Sequence, residues 1–209
     1  PALACVWDAR TCETLVVLRG VHSGGVCALA FDSSGERLAT VGMEPSHRVA
    51  IWDWRRGALL ARLATGPARL FAVAFRPSLP TPTASASSLI ELAAVGVRTA
   101  VFLTGRPGMG GMDGGGGTLV GGGGGTGDGF DGFDAPQGPV RARRGQWGGR
   151  TPQATLLCVS YASVTGSAHA GECYTGSAHG DILTWRDRAL LRVVRAHSGP
   201  VFTLASAPP

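Results

Sequence analysis

Few side chains in this 209-residue chain are reactive in type and also spaced to act together. His22 and His197 each head the string His-Ser-Gly-x-Val followed by an apolar run, so their repetition points to a recurring structural position. His169, Cys173 and His179 are zinc-ligating residue types, yet their spacing matches no common zinc site, and Cys173 opens an expected strand while the histidines flank it on loops. No G-x-S-x-G elbow accompanies a Ser-His-Asp order. The acids are dispersed: Asp8 and Asp53 end expected strands, Asp32 sits in a turn, and Asp128, Asp131 and Asp134 fall among glycines, so no carboxylate pair for acid/base work is argued. The glycine runs at 114–117 and 121–125 lack the strand and helix that must flank a phosphate-binding loop. All nineteen basic residues are Arg, which excludes a phosphate-loop lysine and Schiff-base chemistry. No catalytic set, cofactor or metal is expected, and the chain reads as a non-enzyme.

The elements that carry these residues are short and alternate with a period of two. Val26 to Phe31 reads as a strand, Asp32-Ser33-Ser34-Gly35 as a tight turn, and Arg37 to Val41 as a second strand. Glu44-Pro45-Ser46 turns the chain again, Val49 to Trp54 is the third strand, Arg55-Arg56-Gly57 the next turn, and Ala58 to Leu63 the fourth. The pattern recurs. His197 to Ala205 repeats His22 to Ala30, Phe75 falls one period after Phe31, and the third-strand ending appears at Val6-Trp7-Asp8, Ile51-Trp52-Asp53, Val101-Phe102-Leu103 and Leu183-Thr184-Trp185. A period of about 40–45 residues with four strands each is that of WD-repeat blades. The expected fold is all-β: a partial WD-repeat β-propeller of about three to four four-stranded blades, part of a larger ring.

One gap between third strands is too long for a single blade, and composition explains it. Residues 105–150 hold most of the 33 glycines and almost no alternating apolar pattern, so this stretch is expected to be a disordered insertion leaving the third strand of its repeat. The division is then 1–104, a partial repeat plus two repeats; 105–150, the Gly/Arg-rich insertion; and 151–209, a further repeat and the first strand of the next. Arg141, Arg143, Arg144 and Arg150 surround Trp147 at its end, a pattern able to bind RNA or an acidic surface by charge and stacking. Residues Leu29, Phe31, Leu38, Val49, Ile51, Phe71, Val73, Phe75, Ile182 and Phe202 are expected to fill the core between blades.

Within each blade a hydrogen-bonded network is expected: His22, Thr40 and Trp52 in one, Thr175 or Ser177 with Trp185 in another, and His197 heading the next. The Asp that closes such networks is missing, Glu44-Pro45 and His179-Gly180 standing in its place, and Phe102 stands where a Trp is expected. The five cysteines form no C-x-x-C pair and are odd in number, which suits a reducing compartment, and no apolar run approaches the ~20 residues of a membrane span.

Beyond the generic repeat, the turn Val41-Gly42-Met43-Glu44-Pro45-Ser46-His47 before Ile51-Trp52-Asp53-Trp54 resembles the echinoderm microtubule-associated protein-like family. So do His22 to Cys27, Arg69 to Pro77, Val95 to Arg98, Tyr174 to Trp185 and Arg195 to Phe202. The resemblance implies one of that family's paired atypical propellers and binding of tubulin or microtubules, hence a cytoplasmic, cytoskeletal scaffold. A net charge of +5 suits tubulin's acidic surface, with Arg48, Arg55, Arg56, Arg69 and Arg98 near turns or strand ends as candidate contacts, and Arg141, Arg143 and Arg144 as further ones. The alternatives are a scaffold of another ciliary or signalling complex without tubulin contact, and RNA binding through the Arg/Gly segment. Otherwise nucleic acid and membrane are not expected as partners, whereas the remaining blades of the parent propeller are.

Overall fold

Alternation of small apolar and polar residues, broken every few positions by Gly, Asp or Pro, leaves the chain no option but short strands, and the computed structural model consists of them. It describes residues 2–77, 89–106, 140–149, 152–162, 169 and 171–206. Fourteen strands and no helix occur among the described residues, so none of these is a helix long and apolar enough to cross a membrane. β1 (Leu3–Trp7) and β2 (Thr14–Arg19) form a two-stranded sheet. The first blade is β3 (Val26–Phe31), β4 (Arg37–Gly42), β5 (Arg48–Asp53) and β6 (Ala58–Ala64). The second is β7 (Leu70–Phe75), β8 (Ile90–Gly96), β9 (Thr99–Gly105) and β10 (Arg141–Arg144). The third is β11 (Leu156–Tyr161), β12 (Cys173–Ser177), β13 (Asp181–Arg186) and β14 (Ala189–Arg195). Each blade is an antiparallel meander, and successive blades stack face to face as in a β-propeller that these residues leave open.

The core lies between sheets. Ala39, Val41, Val49, Ile51 and Leu63 of the first blade meet Leu70, Val73, Ile90, Leu92 and Leu103 of the second. Ala93, Val95, Ala100, Phe102 and Trp147 meet Leu156, Tyr161, Cys173, Leu183 and Trp185 of the third. Ala4, Val6, Leu18 and Val21 cover Leu38, Ala50 and Trp52 of the first. The first and second blades therefore each have one face toward the sheet before and one toward the blade after, which is why both faces of their strands read as apolar.

Several expectations are corrected. Leu29 and Phe31 are not in the core; they are 56% and 46% exposed. They pair with Thr40 and Leu38 and so face the preceding sheet, but that sheet brings only β1 and β2, too few strands to reach over β3. The corresponding Val73 and Tyr161 are buried, because a full blade precedes them. Phe202 is 74% exposed, and residues 201–206 form no strand: Val201 docks through its amide on the Ser177 carbonyl, 3.0 Å, with no second strand to pair with. Phe71, at a bulge between Leu70 and Ala72, and Ile182, on the uncovered face of the third blade, are only half-buried.

The stretch 105–150 is corrected at both ends. Gly105 ends β9, and Arg141–Arg144 pair with Thr104 to Val101 as the fourth strand of the second blade. Beyond it, the Gln146 amide donates to the Arg188 carbonyl, 2.8 Å, and Trp147 is buried edge-on against Trp185 with ring centroids 5.0 Å apart. An outer strand needs only one inward side chain, here Ala142, so hydropathy is nearly silent about it. The glycine-rich residues 107–139 lie outside the described residues.

Candidate functional site

The histidine network of the first blade is built from four segments. His22 sits just before β3, Thr40 on β4, Trp52 on β5, and Glu44 in the turn between β4 and β5. Trp52 Nε1–H donates to Thr40 Oγ1 at 3.0 Å, His22 Nε2 lies 2.8 Å from the same hydroxyl, and His22 Nδ1 lies 3.1 Å from Glu44 Oε1. With an ionised Glu44 and a neutral ring, one ordering gives each link a single proton: Nδ1–H donates to the carboxylate and Thr40 O–H to Nε2. The same Glu44 Oε1 accepts the Arg48 amide at 3.1 Å. A Cβ at Gly42 would overlap Glu44 Oε2 and His22 Nδ1, so only glycine lets this pair close. Burial pushes the Glu44 carboxyl up, but the His22 hydrogen bond, the backbone amides of Glu44 and Arg48, and the attraction of the imidazole whenever it is protonated outweigh it and hold the group below the ordinary range. Glu44, which the sequence puts in the region of the missing Asp without assigning it a partner, thus takes that Asp's role from a longer turn.

The other blades differ. In the third, Trp185 Nε1–H donates to Thr175 Oγ1 at 3.0 Å, while Ser177 Oγ instead accepts the His179 and Asp181 amides at 3.1 and 3.0 Å, capping the turn. His197 is exposed, and among the described residues only its amide is engaged, by the Gly180 carbonyl. In the second blade the expected Trp position is not Phe102. By register Leu103 pairs with Leu92 as Trp52 does with Leu38, and Ala94 stands where Thr40 stands. Phe102 points one face over, toward Trp185, with centroids 5.7 Å apart. A one-residue offset in a strand reverses the face. The residues considered for a metal are held apart: His169 binds Glu172 at one rim, Cys173 is buried, and His179 is exposed at the other.

The candidate arginines divide between two rims. Arg48, Arg69 and Arg98 lie on the rim of second-to-third-strand turns and blade connections; Arg69 packs over Phe71, 5.9 Å from its centroid. Arg144, closing β10, reaches Gly66 of a blade connection. Arg55, Arg56, Arg141 and Arg143 lie on the opposite rim. There Arg55 covers the Trp54 ring at 4.7 Å, and Arg56 pairs with Asp53 at 3.0 Å. Because Arg141, Arg143 and Arg144 are strand residues, the freely extended Arg/Gly tail that would have presented them to RNA is not formed.

The second rim also holds a cleft of about 190 Å3 between the second and third blades. Arg76, Glu91 and Thr104 line it from one side with Arg143, and Tyr161, Asp187 and Arg188 from the other. Beside it Glu172 accepts from Arg186 Nη2 at 2.7 Å and Tyr174 O–H at 3.0 Å, and lies 3.1 Å from His169 Nδ1. Burial pushes the Glu172 carboxyl up, and these three partners bring it below the usual value.

No family model matches the chain. It is 39% identical over 66 residues to cilia- and flagella-associated protein 44 of Chlamydomonas reinhardtii, covering 31% of this chain and 4% of that protein. It is 33% identical over 76 residues to echinoderm microtubule-associated protein-like 4 of Xenopus laevis, covering 35% of this chain and 8% of that protein. The chain therefore spans less than a tenth of the length of these curated relatives. Among solved structures, the crystal structure of the Myceliophteria thermophila Cps50 (Swd1) β-propeller domain superposes with a TM-score of 0.62 over 97% of this chain and 52% of that one, at 14% identity. The fold is a β-propeller segment built of WD-type repeats.

Proposed function

We propose that this propeller segment is part of a non-catalytic scaffold that binds protein partners through its rims, with tubulin or the microtubule lattice as the partner, in the cytoskeleton. The observation that carries the reading is the local similarity, over 76 residues, to a microtubule-associated protein-like relative; Arg48, Arg69 and Arg98, which share one rim, are the contacts proposed for it. A basic surface fits an acidic lattice because complementary charge raises the encounter rate and fixes orientation. Co-sedimentation of the full-length protein with polymerised tubulin tests it: retention at low salt that weakens as salt rises is expected. No retention at low salt overturns it.

A second reading is favoured by the similarity to a cilia- and flagella-associated protein. In it the scaffold belongs to a ciliary assembly and touches no tubulin. The protein would then be retained on demembranated axonemes but not on purified microtubules; retention on both removes this reading.

A further inference from the structure

We propose that the cleft between the second and third blades takes the carboxylate of an acidic segment of a protein partner, held by Arg143 and Arg188. This rests on the reading of the propeller as a protein-binding scaffold, but not on tubulin being the partner.

The cleft holds three guanidinium groups, and only one of them serves the fold. Arg76 Nη1 donates to Glu91 Oε1 at 3.1 Å and lies 3.8 Å from Asp187 Oδ1, so its charge is answered twice. Its path is kept clear by Gly171, where a Cβ would overlap Arg76 Nη2 and where φ is +76°. Arg143 and Arg188 reach the same cleft, yet among the described residues neither side chain has a hydrogen bond or an ion pair. Holding two more cations beside Arg76 raises the local potential, and the apolar walls Leu92, Phe102 and Leu103 focus it rather than screen it. Among the described residues the two carboxylates of the cleft, Glu91 and Asp187, are both taken by Arg76; an incoming carboxylate would balance the charge that is left, since the planar guanidinium fork matches a carboxylate with two parallel hydrogen bonds.

Size and surroundings choose among anions. At about 190 Å3 the space is smaller than the ~300 Å3 at which pockets for whole small molecules begin, and it suits a single side chain. Next to it runs β10, the last strand of its sheet, whose outer edge pairs with no other strand among the described residues and so can take an extended segment. Arg141 and Arg143 share one face of that strand, two residues apart, the spacing at which alternate acidic side chains of a paired segment would arrive.

The test uses the full-length protein and a fluorescein-labelled oligoglutamate peptide, read by anisotropy at low salt. The Arg143→Gln/Arg188→Gln variant is expected to bind at least about tenfold more weakly, the loss of charge-assisted hydrogen bonds. Its thermal midpoint should match that of the unmodified protein, because neither guanidinium makes an internal bond. The Arg19→Gln/Arg62→Gln variant, on β2 and β6 outside the cleft, should bind the peptide normally. Failure of the unmodified protein to bind, equal affinity for the cleft variant, an equal loss in the Arg19/Arg62 control, or tighter binding of oligouridylate through the same two arginines overturns the proposal. Microtubule co-sedimentation separates the two readings. Peptide binding that depends on Arg143 and Arg188 without co-sedimentation removes tubulin alone, whereas co-sedimentation with cleft-independent peptide binding removes the cleft alone.

Discussion

At the scale of single residues, the three blades solve one problem in three ways. The position on the third strand that faces the preceding sheet is Trp52 tied through Thr40 and His22 to Glu44, then Leu103 beside Ala94 with no polar atom, then Trp185 tied to Thr175 alone. A buried donor must be answered or removed, and each blade obeys that rule differently. The first blade's solution is sensitive to acid. Glu44 titrates below its ordinary value when folded, so its contribution is complete above the unfolded value of about 4.3 and is lost as pH falls through the folded one. Glu172 behaves likewise. Glu44→Gln should therefore lose less stability than the unmodified protein between neutral pH and about pH 3.5, and Glu44→Gln/Glu172→Gln less still, read from urea midpoints. An unchanged acid loss would show that neither carboxylate carries it. At neutral pH Glu44→Ala should cost about 1–3 kcal/mol, because the buried His22 Nδ1–H is left unanswered. The spacing of His22, Thr40 and Trp52 was readable in the sequence. Glu44 was readable as the residue in the missing Asp's region but not as a member of the network, because what recruits it is the path of a turn and the absence of a side chain at Gly42.

At the scale of strands, alternation revealed all four strands of the first blade and concealed the fourth of the second. β3 begins and ends at the residues expected, and β4, β5 and β6 depart by a residue at most at either end. β10 escaped because Arg-Ala-Arg-Arg has a single inward residue, and the burial of Trp147 depends on a partner, Trp185, far along the chain. Counting residues also fails where strands shift: register slips after the first residues of β3, β7 and β11 and again between Ile51 and Trp52. Such bulges bend and twist the strand locally, and each one resets which face a side chain takes. The pairing Thr104 with Arg141 has a direct consequence. The two strands are already neighbours at the point where residues 107–139 connect them, so the fold does not need that length. Replacing 107–139 by a short Asn-Gly turn should leave the β-sheet circular dichroism unchanged. It should stabilise the protein by about 2 kcal/mol, from three halvings of the closed loop. Loss of the cooperative unfolding transition would mean that those residues pack on the blades.

At the scale of the whole molecule, the two end sheets show what each face is made to meet. In β1–β2 the register shifts between Val6 and Trp7, at the same place in the strand pair as the shift between Ile51 and Trp52 and that between Thr184 and Trp185. Trp7 is thus the counterpart of Trp52 and Trp185, which are 5% and 0% exposed under the sheet before them, whereas Trp7 is 56% exposed. Leu3 and Cys5 share its face, whereas the exposed Leu29 and Phe31 lie one layer away, on the face of the first blade that β1–β2 only partly covers. An apolar surface of this kind marks a contact, and the contact each neighbouring blade makes through the equivalent residues is with another blade. The full-length protein should therefore cover this face, and Cys5 reports on it without disturbing it. Under native conditions a maleimide should modify Cys12, exposed on the turn between β1 and β2, while Cys5 reacts only after denaturant is added. Modification of both thiols at equal rates in the native full-length protein would leave Trp7 facing solvent, and the stacking of a further blade on β1–β2 would have to be abandoned.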